Sequence, residues 1–143
     1  MRTVHLGVAL IVLSAAPALA SSDSDAFDRA GILGTWAEDC SKPPSADNYH
    51  LIYRAASDGS VSEVQRTTGD DARKIRNVQI LSDDWLAYSY FNSKDDNKYS
   101  IVTRKQGNRK KSWWSARHDG TALIMNGKFT GSGQDVPWFE KCK

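Results

Sequence analysis

Few side chains in this sequence are chemically demanding, and they do not cluster. Histidines at 50 and 118 fall on separate predicted strands. A nucleophile, base and acid set needs one of them beside an activated serine or cysteine. No nucleophile elbow, phosphate-binding loop or histidine-rich zinc pattern accompanies them. His118-Asp119-Gly120 reads as a turn, so no catalytic residue is assigned and the chain is expected not to be an enzyme. The acidic pairs Asp70-Asp71, Asp83-Asp84 and Asp95-Asp96 recur between strands. Aspartate suits turns because it bonds its own backbone, so these are read as turn residues rather than metal ligands, and no cofactor is expected.

Cys40 and Cys142 are the two cysteines of the chain. An even count in an exported chain favours a disulfide, which would tie the first strand to the last. The strongest charge feature is the segment Arg104-Lys105-Gln106-Gly107-Asn108-Arg109-Lys110-Lys111, followed by Trp113-Trp114. A hairpin here gathers five positive charges at one tip beside aromatic surface. Arg104, Lys105, Arg109, Lys110, Lys111, Trp113 and Trp114 therefore form the candidate contact surface, fit for anionic headgroups or an acidic partner. The plain alternative is a solvated turn whose lysines protect the aromatic strand from aggregation. Adjacent tryptophans on a strand point to opposite faces, so one of Trp113 and Trp114 is expected inside.

The elements that must position these residues are short strands. Residues 1–20 read as a secretory leader: a positive start, an apolar run from Val4 to Leu13, and Ala18-Leu19-Ala20 as the cleavage pattern. Export to the periplasm or beyond follows, with no transmembrane segment after cleavage. Taking Arg2 away with the leader leaves 18 basic and 17 acidic side chains, a balance that argues against nucleic-acid binding. Residues 21–25 read as a polar, disordered start, and 26–143 as one domain. Asp25 can cap a short helix from Ala26 to Ala30.

From Gly34 onward, strands of period two recur about every ten residues. The turns between them include Asp58-Gly59, Gly107-Asn108, Asp119-Gly120 and Asn126-Gly127. Tyr49, Leu51, Tyr53 and Ala55 share one face. The phase slips between Val61 and Val64, and again near Asn77, both compatible with bulges. The fold class is all-β: an eight- or nine-stranded antiparallel up-and-down barrel with one short N-terminal helix. Trp36, Trp85 and Trp138 are assigned to its core or floor.

A short helix followed by Gly34-Thr35-Trp36 at the start of the first strand resembles the opening of the lipocalin and calycin barrels. The resemblance implies that Gly34 and Trp36 form the barrel-floor motif. It also implies that a basic residue of the last strand, Arg117 or Lys141, packs on Trp36. The Thr-Asp-Tyr motif of that family is absent, and the chain ends one residue after Cys142, which implies a compact, lipocalin-like barrel of the bacterial cell envelope.

Three functions fit this reading. One is a non-enzymatic binding or interaction module that meets an envelope component. Another is a carrier of a small apolar ligand inside the barrel. The third is an inhibitor similar to the small periplasmic lysozyme inhibitors, which use a Ser-Gly-x-x-Tyr loop; here Ser132-Gly133 is followed by Gln134-Asp135-Val136, without the tyrosine. Interior volume separates the first two. Tyr49, Leu51, Tyr53, Trp85 and Trp114 are expected to point inward; if they fill the barrel there is no carrier, whereas a hollow of about 300 Å³ or more favours one.

Overall fold

The computed structural model describes residues 21–143. The leader therefore lies outside the described residues. Helix α1 (Asp23–Arg29) starts three residues before the predicted boundary at Ala26, within the segment 21–25 expected to be disordered. Its cap is Ser22, not Asp25. Ser22 Oγ accepts from the Asp25 amide at 3.2 Å, while the Asp25 carboxylate accepts from the Ser22 amide at 3.1 Å. Two free amides are satisfied by each other's side chains, so the more N-terminal residue wins the cap.

Ten strands follow: β1 (Gly34–Ala37), β2 (His50–Ala55), β3 (Val61–Arg66), β4 (Asp70–Ser82), β5 (Trp85–Asn92), β6 (Asn97–Gln106), β7 (Arg109–Arg117), β8 (Ala122–Met125), β9 (Lys128–Phe129) and β10 (Phe139–Lys141). Strands β1 to β7 pair in chain order, and β10 closes the circle between β7 and β1. The result is a closed antiparallel barrel of eight strands. The hairpin β8–β9 is an addition to it. Full closure removes the exposed edges that an open meander of this length would leave.

Strand β7 makes the closure possible by dividing its partners. Its first residues pair with β10, Lys110 opposite Phe139 and Arg109 opposite Glu140. Its last residues pair with β8, Ser115 opposite Ile124. Between the two halves lies a bulge. Thr103 stands opposite Ser112 and Val102 opposite Trp114, so Trp113 is the extra residue. Its carbonyl accepts from the Gly127 amide at 2.8 Å, which ties the β8–β9 turn to the bulge.

The bulge near Asn77 is present: Asn77 has φ 55 and the β4–β5 register shifts between Arg76 and Gln79. The one anticipated in β3 is not. The β2–β3 ladder runs unbroken from His50↔Arg66 to Ala55↔Val61. Val61 faces inward with Glu63, and Val64 lies on the other face opposite Ile52. Two buried valines three residues apart mark a strand covered on both faces, which imitates a phase slip.

One end of the barrel is sealed. Phe27 of α1 is fully buried, its ring 5.4 Å from Tyr53 and 5.5 Å from Tyr88. Trp36 is also fully buried and donates Nε1–H to the Ile32 carbonyl at 2.7 Å. Of the two cations considered for Trp36, Lys141 is the one on it, Nζ 5.5 Å from the ring and donating to the Gly31 carbonyl at 3.0 Å. Arg117 stands in register with Tyr99, toward the other end. Gly34 has φ +114, and a Cβ there would lie 3.4 Å from Lys141 Cε, so glycine lets strand β1 begin directly over the lysine stem. Cys40 and Cys142 form a disulfide with Cα atoms 5.4 Å apart, 102 residues apart in sequence.

Candidate functional site

The interior beyond this floor is hollow. An open cavity of about 730 Å³ is lined by strands β2 to β8 and the segment Phe129–Ser132. All five tyrosines of the chain, Tyr49, Tyr53, Tyr88, Tyr90 and Tyr99, line it. Strand alternation explains the convergence: Leu51 and Tyr53 on β2, Glu63 and Gln65 on β3, Tyr88 and Tyr90 on β5, and Tyr99 and Ile101 on β6 are each two residues apart. Tyr90 and Tyr99 stack with centroids 5.3 Å apart. Tyr49 packs on Phe139 at 5.1 Å.

Two of the expected inward residues are elsewhere. Trp85 lies on the outer wall, edge-on to Trp113 at 5.5 Å. Trp114 is 37 % exposed on the same wall. Neither Trp113 nor Trp114 lines the cavity; Ser112 and Ser115 do. The bulge is the cause: one extra residue lets both tryptophans face out while the serines on either side face in. Strict alternation from Ser112 would turn Trp114 inward; the bulge puts Ser115 there instead, and a hydroxymethyl group in place of an indole helps to leave the barrel hollow. Trp138, assigned to the core, is only half-buried and lies under Arg109 and Lys111.

The cavity base carries a continuous hydrogen-bonded chain. Lys110 Nζ donates to Tyr53 Oη at 3.1 Å. The Tyr53 and Tyr88 hydroxyls are 3.2 Å apart, and Tyr88 donates to Glu63 Oε2 at 3.3 Å. Glu63 Oε1 accepts from Arg73 at 3.3 Å. Arg73 also donates to Gln65 at 2.8 Å, to Asp71 at 2.9 Å and to Tyr90 at 3.4 Å. With Lys110 donating at one end and Glu63 accepting at the other, Tyr53 donates to Tyr88. Two cations, Lys110 and Arg73, balance two carboxylates, Glu63 and Asp71. A partly satisfied buried network is costly, so this chain fixes the conformation of the whole base.

The titrations follow from burial. Tyr53 and Tyr88 are raised well above the ordinary tyrosine value, by burial first and the Glu63 charge second. Burial likewise pushes Tyr49 up to about 12. Asp71 is lowered by the hydrogen bond from Arg73. Lys110 is lowered to about 8 by burial, with the Glu63 charge opposing the shift. It is fully enclosed by rings: Tyr53 at 4.7 Å, Trp36 at 5.6 Å and Phe139 at 5.7 Å from Nζ.

The predicted basic surface is thus divided. Lys110 belongs to the interior. Lys105 turns toward α1, its Cε 3.3 Å from where a Cβ on Gly31 would be. Arg104, Arg109 and Lys111 lie outside and alternate with indoles. Arg104 sits 5.5 Å from the Trp85 ring and 5.2 Å from Trp113. Lys111 sits 5.5 Å from Trp113 and 5.2 Å from Trp138, and Arg109 is 5.3 Å from Trp138. Gly127 seats this ladder at φ +72, where a Cβ would fall 2.9 Å from Lys111 Cε and 3.1 Å from Trp113 Cε3. Gly127→Ala is therefore expected to cost about 1–2 kcal/mol in urea unfolding, a loss absent from Gly131→Ala, whose Cβ meets nothing within 4 Å.

The histidines are not brought to the cavity. His50 Nε2 contacts the Lys42 carbonyl at 3.2 Å, and His118 is exposed in the turn after β7. Ser132 lines the cavity on the side away from α1. Sequence reasoning missed Glu63, Gln65 and Arg73. Their signal was present: each falls in phase with an inward apolar neighbour, Val61 for Glu63 and Ile75 for Arg73. No protein-family model, curated protein or solved structure matches this chain.

Proposed function

We propose that this is an exported, non-enzymatic binding protein that holds a small ligand inside its barrel. The observation that carries the proposal is the cavity of about 730 Å³ lined by every tyrosine of the chain. Small-molecule sites typically enclose about 300–1,000 Å³ and combine apolar walls with a few placed polar groups. Leu51, Ile101 and Leu123 supply apolar wall; the tyrosine hydroxyls, Gln65, Ser112 and Ser115 supply donors and acceptors. This favours an amphipathic ligand over the purely apolar one expected from sequence. Because Arg73 is already neutralised by Glu63 and Asp71, a ligand without net charge suits the site best. The disulfide supports export, since such bonds persist in oxidising compartments. The lipocalin-like opening points the same way.

The test is native mass spectrometry of protein purified from its own source, followed by rebinding of whatever is released. Ser112→Phe places a ring in the cavity from a half-buried wall position. It is expected to weaken rebinding at least tenfold while the melting temperature holds. Unchanged rebinding by that variant would place the ligand outside the barrel and sink the proposal.

A further inference from the structure

The wall formed by the outer face of β4 to β7 has a charge distribution that the interior site does not use. Lys74, Arg76, Lys98, Arg104 and Arg109 face outward there, while Lys111 on the same strand face is buried beneath the β8–β9 turn. Strands β5, β6 and β7 contain no aspartate or glutamate at all. Of the two carboxylates of β4, Asp70 is paired with Arg66, and Asp71 points inward to Arg73. The carboxylates at the margins of the wall are Glu140, opposite Arg109 on β10, and the exposed turn residues Asp83, Asp84, Asp95 and Asp96 at the strand ends. None of these five cations enters an ion pair among the described residues. The strand face of this wall thus presents five cations without an ion-pair partner and no outward carboxylate beyond Asp70.

The same wall exposes apolar surface. Phe91 is 53 % exposed in a groove shared with Lys74, Arg76 and Lys98. Trp114 is 37 % exposed in the adjoining groove, which also contains Lys98. Below them, the half-buried indoles of Trp85 and Trp113 flank Arg104. A purely solvated face gains nothing from exposed aromatic rings among cations, whereas an interface between water and hydrocarbon accommodates both.

We propose that this wall docks the protein on an anionic lipid bilayer, with Phe91 and Trp114 entering the headgroup layer and the five outward cations meeting phosphates. Charge complementarity commits the face to an anionic partner. The exposed rings favour a bilayer over a soluble polyanion, which offers no apolar contact, and the breadth and convexity of the wall favour a bilayer over an acidic protein. Docking by the wall leaves the interior site free, so the two functions are separable.

The test is flotation of the purified protein with vesicles of phosphatidylcholine, with and without phosphatidylglycerol. Flotation is expected only with phosphatidylglycerol and is expected to weaken as salt is added. Arg76→Glu with Lys98→Glu should lower vesicle affinity by more than about 30-fold, since loss of the two positive charges alone costs about fivefold each and the reversal adds two negative charges. Both side chains are exposed, so an unchanged melting temperature will show that the barrel is intact. Lys42→Glu with Lys128→Glu, cations already paired with Asp39 and Asp135, should leave affinity as it was. Phe91→Ser with Trp114→Ser should weaken vesicle binding and leave retention on heparin unchanged. Equal flotation with both vesicle types overturns the proposal. So does retention on heparin without flotation, or an apolar double variant that floats like the parent. Ser112→Phe, which blocks the interior, should float normally, so failure of the ligand proposal and failure of this one are distinguishable.

Discussion

Removing both cysteines, as Cys40→Ala with Cys142→Ala, is expected to lower stability by roughly 4–5 kcal/mol, the chain-entropy value for a loop of this length. The bond joins residues 102 apart, so it restricts nearly the whole unfolded domain. Cys40 is exposed and Cys142 half-exposed, so little apolar burial is lost along with the bond. In the folded state the same ends are held by ladders between β1 and β10 and between β10 and β7. The barrel should therefore still close, with a lower urea midpoint and a nearly unchanged slope. A domain of this size has a total stability of about 5–15 kcal/mol, so the variant should be marginal at physiological temperature. A loss below about 1 kcal/mol would mean that the clasp barely restricts the unfolded chain.

Lys110→Met is expected to do the opposite at neutral pH, raising stability by about 1–3 kcal/mol. Lys110 is lowered to about 8 in the fold by burial, against an ordinary value of 10.5. Below the folded value both states carry the charge, and the fold bears the full cost of burying it. Between the two values the unfolded chain still binds a proton that the folded chain has released, so stability rises with pH. The tyrosines act with the opposite sign. Tyr53, Tyr88 and Tyr49 are raised in the fold, so the unfolded chain loses their protons first and stability falls above their ordinary value of 10. Glu63 and Arg73 are the charged groups that face this layer through Tyr53 and Tyr88. The window is thus about pH 8 to about pH 10: the parent should gain stability across it, and Lys110→Met should stay flat. Urea midpoints at several pH values in that window decide the matter. Parallel curves for parent and variant would show that the ammonium is not buried at a cost.

These two residues also show what could be read from the chain alone. Cys40 had one possible partner, so the clasp and the meeting of the chain's ends followed directly. Lys110 was legible only as one charge in a basic hairpin. Alternation across the Gly107-Asn108 turn gives its parity relative to Arg109, but not which parity faces in. That depends on β10, which pairs Phe139 with Lys110 and brings the ring against the lysine stem.

Glu63 and Arg73 were hidden for a related reason. A charged residue on a predicted inward face is normally taken to mark the solvent side, because burying a lone charge is costly. Here each has its partner on the neighbouring strand, in direct register, Glu63 opposite Arg73. Pairing across a ladder is invisible until the register is known.

By itself, the sequence determined the all-β class, the order of strands and turns, the irregularity at Asn77, and the disulfide. These rest on local signals: period two, turn residues, and a cysteine count of two. Tertiary structure alone decided whether the barrel is filled. Interior volume is the space enclosed by the strands less the side chains that point into it. One extra residue at Trp113 reverses the parity of everything after it and sends both Trp113 and Trp114 outward. That bulge lies where β7 changes partner from β10 to β8 midway along its length, a long-range arrangement with no local signature.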